Sequence, residues 1–215
     1  MEHMTTVLFI CIALPMLPMI LIFPDKRSRL FLGFMITGAL ICHIAGDVNA
    51  YLLGSFGGDM MYVTTTITPI SEELLKTLPV LFYAAACSDD RDILISISFA
   101  EGIGFAILEN SVILIQNLNR VSLEWALARV VGAALMHGAC TAAIGMGISF
   151  IRKRRKLFFC GTFSLLIAAF IFHASFNVLV QSEYSAAAFV MPAAVYIPLA
   201  VNAFRRYRGS SKKSD

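Results

Sequence analysis

The sequence predicts an all-α polytopic membrane protein of about seven transmembrane helices, and its composition is the first reason. Of the 215 residues, 58% are hydrophobic and only 14% are charged, whereas about 25% are charged in an ordinary soluble domain. A mean hydropathy of +0.77 would leave more apolar surface than one water-facing domain can bury. The composition therefore excludes a disordered chain, argues against a soluble enzyme, and indicates the lipid bilayer as the surrounding medium.

Seven apolar runs are long enough to cross a membrane, since a hydrocarbon core about 30 Å thick needs roughly 20 apolar residues per helix. In order, they cover residues 4–23, 30–54, 62–87, 93–118, 122–150, 157–181 and 184–204. No basic residue precedes the first run and several follow it, which predicts a retained helix and not a cleaved signal peptide. We therefore interpret residues 1–207 as one transmembrane domain with a motif core at 70–180, and residues 208–215 as a disordered basic tail.

The basic residues predict the orientation of these runs. Most of the 17 Lys and Arg residues follow the first, third, fifth and seventh runs, with clusters at 152–156 and 205–213. By the positive-inside rule, the N-terminus is external and the C-terminus cytoplasmic in a multi-pass protein of the cell membrane. This topology accounts for the net charge of +3, so we expect no nucleic-acid partner. The five cysteines form no CxxC pair and are interpreted as small apolar fillers.

Several ionisable or polar residues lie inside the predicted spans. They are Asp47, Glu72, Glu73, Glu101, Glu109, His43, His137, His173, Lys76, Arg129 and Asn177. One acidic or basic side chain at mid-helix costs about 2.5 to 3.5 kcal/mol on insertion scales, so this set would cost about 15 to 25 kcal/mol facing lipid unpaired. We therefore expect the side chains to face inward and to meet one another. One pair, His43 and Asp47 at i, i+4, is interpreted as locking its helix to neighbouring helices.

The depths of four of these residues indicate a shared site. With a rise of about 1.5 Å per residue, Glu72, Glu109, His173 and His137 fall within a layer about 10 Å thick, although they lie on four different helices. Chance placement would scatter them through the bilayer. The sequence therefore predicts one polar cavity in the external half of the membrane.

The first motif combines two carboxylates with one ammonium group. Glu72 and Glu73 lie four and three residues before Lys76, so one carboxylate can pair with the lysine while the other points about 100° away. Two acids and one base leave a surplus carboxyl group, which suits a general base or acid. The alternative is a structural ion pair between helices.

The second motif contains Glu109 and Asn110. Glu101 lies two helical turns earlier, about 80° around the same helix. Its structural interpretation is that it only neutralises Lys76 or Arg129. Glu109 is the stronger candidate for chemistry.

Two histidines each carry a second polar group one helical turn later. These pairs are His137 with Thr141, and His173 with Asn177, so both members of a pair can address one substrate atom. A lone histidine in a helix is usually a satisfied core residue. Two of them at similar depth beside glutamates favour a functional site.

Glutamate and histidine together permit two hydrolytic schemes. In the first, a glutamate and a second acid-base residue deprotonate a water that attacks a peptide carbonyl, while His173 and Asn177 donate hydrogen bonds to the oxyanion. In the second, Glu109, His137 and His173 bind Zn²⁺, which lowers the pKa of its water, and a remaining glutamate is the base. The sequence contains no HExxH motif, so zinc ligands would have to come from separate helices.

The motifs together resemble the PrsW family of intramembrane proteases, which is similar to the type II CAAX prenyl endopeptidases. They are Glu72-Glu73-x-x-Lys76, Phe105-x-x-x-Glu109-Asn110, His137 and His173-x-x-x-Asn177, each on its own predicted helix. The resemblance implies peptide-bond hydrolysis in or near a bacterial plasma membrane, with Glu72 as the water-activating base. It also implies an external-side first cut in a single-span anti-sigma factor. The second motif departs from the prenyl endopeptidases, which carry histidine where this chain has Glu109.

Two other functions use the same buried residues. A transporter or proton pathway would use the carboxylates and histidines as relay stations. Such a relay would distribute acids across the bilayer, and many carriers have duplicated halves, which these runs lack. A non-catalytic scaffold that binds single-span partners is the third alternative.

Overall fold

The computed structural model describes residues 2–119 and 122–197, and the regular elements within these ranges are helices. They are α1 (Glu2–Ile22), α2 (Lys26–Ser55), α3 (Met60–Tyr62), a π-helix (Val63–Ile67), α4 (Thr68–Ala86), α5 (Arg91–Gln116), α6 (Leu123–Ile148), α7 (Arg155–Val180) and α8 (Ser185–Ile197). The all-α prediction is therefore confirmed for the described residues.

Each predicted run corresponds to helical structure whose ends lie within a few residues of the prediction. The third run is not one continuous α-helix, because the π-helix separates α3 from α4. The end of the seventh run and the basic tail at 208–215 lie outside the described residues. Four described helices are long and apolar enough to cross a membrane: His3–Ile22, Lys26–Ser55, Leu123–Ile148 and Arg155–Val180. Seven crossings and an external N-terminus stay predictions.

Short polar side chains set the starts of several helices. Asp25 accepts a hydrogen bond from the backbone N–H of Ser28 at 2.7 Å at the start of α2. Asp90 does the same for Ile93 at 3.0 Å at the start of α5. Such N-caps satisfy backbone donors that have no partner inside the helix. They fix where the chain turns back into the bundle.

Glycines bring α2, α5 and α6 into close contact. A Cβ atom on Gly38 would meet the backbone of Glu101, and one on Gly104 would meet the backbone of Met35. On the other side of α5, Gly102 lies against the backbone of His137. Small residues of this kind let membrane helices approach closely. They place α5 between α2 and α6 and set the rotation of its polar face.

Two intramembrane polar residues lie apart from the central cluster. Asp47 is exposed on α2, so the expectation that every acidic residue in a span faces inward is wrong for it. His43 contacts Thr6 of α1, with 3.3 Å between Nε2 and Oγ1, and so ties α2 to its neighbour.

Candidate active site

Lys76 lies at the centre of a buried polar cluster. Its Nζ is 2.8 Å from Glu73 Oε1, 2.7 Å from His137 Nδ1 and 3.8 Å from Glu72 Oε2. The ammonium group also lies 3.8 Å from the centroid of the Phe105 ring, within cation–π range. The Lys76 side chain is fully buried. Helix α4 thus supplies both carboxylates and the cation that holds them.

Glu73 orients His173. Its Oε1 lies 3.0 Å from His173 Nδ1, and an ionised carboxylate can only accept a hydrogen bond, so Nδ1 carries the proton. The lone pair of the ring is then on Nε2, which lies 3.8 Å from Glu72 Oε2. This carboxylate–histidine arrangement is typical of the outer shell of metal sites.

His137 has the opposite arrangement. A charged Lys76 can only donate, so His137 Nδ1 accepts and Nε2 carries the proton. Nε2 lies 3.2 Å from Glu109 Oε2, and the same carboxylate oxygen lies 3.6 Å from Arg129 Nη2. Glu109 therefore connects the buried cluster with Arg129.

A residue that the sequence analysis missed orients Glu72. Asn49 of α2 donates from Nδ2 to Glu72 Oε1 at 3.1 Å, and accepts at Oδ1 from the Ser71 hydroxyl at 2.7 Å. Glu72 Oε2 is buried and has no hydrogen-bond partner in the described residues. The available signal was a carboxamide inside an apolar run, the same signal that singled out Asn177.

An open cavity of about 1080 Å³ lies beside the cluster. Four segments of the chain line it: Met60, Thr64 and Thr68 from α3, the π-helix and α4, Glu109, Ile113 and Asn117 at the end of α5, Ser122, Trp125 and Arg129 at the start of α6, and Asn177, Val180 and Gln181 at the end of α7. The Glu109 side chain is 22% exposed, against 5% for Glu72. Glu109 is thus the acidic member of the cluster that faces the cavity.

The polar groups paired with the two histidines are engaged by the backbone. Asn177 donates from Nδ2 to the Thr64 carbonyl in the π-helix at 3.0 Å. Thr141 donates to the backbone carbonyl of His137 at 2.8 Å, as hydroxyls in helices commonly do. Thr141 is buried, whereas Asn177 lines the cavity and has a second N–H beyond the one bonded to Thr64. That each histidine and its partner address one substrate atom stays a prediction.

Glu101 and Asn110 lie in the protein interior. Glu101 is fully buried, and neither of its oxygens has a hydrogen-bond partner in the described part of the chain. Its expected ion pair with Lys76 or Arg129 is not formed, because Lys76 pairs with the carboxylates of its own helix and Arg129 with Glu109. Asn110 is 3% exposed and its Oδ1 has no hydrogen-bond partner in the described residues.

Glu72, His137 and His173 form a possible metal site. Each offers one donor atom, and these atoms all lie within 4.8 Å of one another. One carboxylate and two imidazoles are a donor set typical of catalytic zinc, and the unpartnered Oε2 of Glu72 and the lone pair of His173 Nε2 fit a cation. His137 could bind such a cation through Nε2 only if its ring proton lay on Nδ1, which requires Lys76 to be neutral and to accept there. The donor set therefore contains Glu72 in place of Glu109, which the sequence predicted as the third ligand beside the two histidines.

Comparison with known proteins identifies one family. A family model described as PrsW family intramembrane metalloprotease matches residues 26–203, a segment that contains the whole cluster. No curated protein and no solved structure matches the chain. The family resemblance given by the motifs is therefore confirmed.

Proposed function

Because the chain belongs to the PrsW family of intramembrane metalloproteases, we propose that it is an endopeptidase that cleaves membrane-anchored proteins. The observation that carries this proposal is the convergence of Glu72, Glu73, Glu109, His137 and His173 beside one open cavity. We further propose that its substrates are single-span membrane proteins such as an anti-sigma factor, cut on the external side.

Peptide hydrolysis needs two proton transfers, and Glu72 can carry both of them. Glu72 takes a proton from the attacking water at Oε2, because Asn49 occupies its other oxygen. The water oxygen bonds to the carbonyl carbon, and the C–N bond then breaks. The departing amine takes the proton that Glu72 received, at the cavity that Glu109 borders, and Glu72 is ionised again.

A divalent cation such as Zn²⁺ fits the same cluster. Glu72, His137 and His173 would hold it, with Glu73 fixing the orientation of His173. When bound, such a cation polarises the substrate carbonyl and lowers the pKa of a bound water. Glu109 lies outside this donor set and faces the cavity, so it is then the available general base.

Replacing Glu72 tests the proposal in either form. We expect Glu72→Gln to insert normally and to lose at least about 100-fold in cleavage of a co-expressed single-span substrate, the size of effect typical of a lost acid-base group. Glu183→Gln is the matched control, since Glu183 is exposed between α7 and α8. Normal cleavage by Glu72→Gln would overturn the assigned site, and so would an equal loss in the control.

Metal content distinguishes the two forms of the site. Purified protein is assayed for bound metal, and cleavage is measured after chelation and after Zn²⁺ is added back. Loss and recovery of cleavage support a cation held by Glu72, His137 and His173. Full activity in metal-free protein assigns Glu72 as an unaided base.

The transporter alternative is not favoured. A relay across the bilayer needs acidic groups spread along its depth, whereas Glu72, Glu73 and Glu109 all contact the one Lys76–His137 group. A non-catalytic scaffold would bind single-span proteins without cleaving them. The Glu72→Gln comparison separates it from a protease, because a scaffold gives no cleavage to lose.

A further inference from the structure

Hydrolysis of a peptide bond places negative charge on the carbonyl oxygen, and the expected donors for that charge are largely occupied. The N–H of His173 is directed at Glu73, and its other nitrogen carries a lone pair. One N–H of Asn177 is bonded to the Thr64 carbonyl. Lys76 is enclosed by the cluster and does not line the cavity. These residues leave one amide N–H for the oxyanion.

Arg129 offers hydrogen-bond donors at the cavity, where His173 and Lys76 offer none and Asn177 offers one. Its guanidinium carries five N–H groups and stays protonated, and the side chain lines the cavity although it is only 9% exposed. The contact of Nη2 with Glu109 Oε2, at 3.6 Å, is longer than a hydrogen bond. Nε is buried without a hydrogen-bond partner in the described residues. A buried charge with unused donors is costly unless something completes its hydrogen bonds.

The position of Arg129 suits a reacting carbonyl group. Ser122, Trp125 and Arg129 lie on the face of α6 that borders the cavity. The guanidinium contacts the same oxygen of Glu109 that accepts from His137. Arg129 is therefore separated from the buried cluster by one carboxylate group, on the side that borders the open cavity.

We propose that Arg129 donates hydrogen bonds to the carbonyl oxygen of the scissile peptide bond and stabilises the oxyanion. Water oxygen bonds to the carbonyl carbon, the C=O electron pair moves to the oxygen facing Arg129, and the water proton goes to the base. The electron pair returns when the C–N bond breaks, and the amine leaves with the proton that the base returns. Arg129 stays protonated throughout and is a catalytic residue of the hydrolysis proposed above, on which this inference rests.

Steady-state kinetics on two variants test this role. Loss of an oxyanion donor lowers kcat about 10²- to 10³-fold, so Arg129→Gln should show this loss with KM changed less than about threefold. Arg129→Lys keeps the charge beside Glu109 but lacks the planar fork, and should retain an intermediate kcat. Arg155→Gln is the matched control, since Arg155 is exposed at the start of α7. Unchanged kcat in both Arg129 variants would overturn the proposal.

An inhibitor separates catalysis from ground-state binding or from support of Glu109. The probe is a substrate-sequence peptide with a phosphinate in place of the scissile amide, which presents a tetrahedral anionic oxygen. Its affinity should fall in Arg129→Gln and Arg129→Lys in proportion to kcat/KM, while the affinity for uncleaved substrate stays constant. Parallel losses of both affinities would instead assign Arg129 to substrate binding, and constant inhibitor affinity would assign it to support of Glu109.

The inference and the proposed function fail in different ways. If the wild-type chain cleaves nothing, or Glu72→Gln cleaves normally, the proposed function is wrong. If Glu72→Gln is inactive while both Arg129 variants keep wild-type kcat and inhibitor affinity, only the role of Arg129 is wrong. Should Arg129→Gln fail to fold, Arg129→Lys still decides the question, because it preserves the ion pair with Glu109.

Discussion

Replacing Lys76 by methionine should destabilise the protein strongly, because it leaves a buried carboxylate without its cation. Lys76 and Glu73 are both fully buried and lie 2.8 Å apart. Methionine fills a similar volume, so the main loss is the ion pair itself. Removing one partner of such a buried pair costs about 3–5 kcal/mol.

A surface pair provides the control for this magnitude. Lys153 Nζ lies 3.6 Å from Asp89 Oδ2, and the two side chains are 50% and 25% exposed. Exposed ion pairs contribute about 0–1 kcal/mol, because water screens them. Lys153→Met should therefore change the free energy of unfolding by no more than about 1 kcal/mol.

The assay is equilibrium unfolding in mixed detergent micelles, followed by circular dichroism and by the fluorescence of the single tryptophan, Trp125. A double variant, Glu73→Gln with Lys76→Met, removes the nearer of the two carboxylate charges that Lys76→Met leaves without a cation, and should recover part of the stability. If Lys76→Met unfolds like the wild type, or the double variant is less stable than the single one, the reasoning from buried charge is refuted.

Two further predictions concern helix packing and the orientation of the site. Gly104→Ala should lower the free energy of unfolding by about 1–3 kcal/mol, because the new Cβ would meet the backbone of Met35. Gly33→Ala is the control in the same unfolding assay, because a Cβ at Gly33 meets open space. Equal effects of the two substitutions would refute the packing argument. Asn49→Ala removes the hydrogen-bond donor to Glu72 Oε1. It should lower kcat about tenfold, equivalent to about 1.4 kcal/mol in the activation free energy, with little change in KM. A wild-type kcat in this variant would contradict the orienting role of Asn49.

The local part of the cluster follows directly from residue spacing. Glu72 and Glu73 precede Lys76 by four and three residues, so helix geometry alone brings all three together. The contacts of His137 with Lys76 and of His173 with Glu73 join separate helices. The cost of charge in lipid predicted that such side chains would meet, but it gave no basis for choosing between partners.

Several details of the site depend on helix rotation and on hydrogen bonds that spacing does not reveal. Spacing does not single out Asn49, because no ionisable residue lies one helical turn from it, whereas Asn177 lies one turn after His173. The bond of Asn177 to Thr64 depends on a π-helix, which no repeat in the apolar pattern indicates. The partner of Arg129 was left open by the sequence, and the structure places it beside Glu109.

The lengths of the apolar runs determined by themselves that this chain is helical and suited to a membrane, because backbone polar groups in lipid must be satisfied within each helix. The ionisable residues within those runs likewise indicated a shared interior site. Only the tertiary structure decided which oxygen meets which nitrogen, since this depends on the rotation of each helix about its axis. Backbone contacts at Gly38, Gly102 and Gly104 set that rotation for α5, and so turn Glu109 toward His137, Arg129 and the cavity.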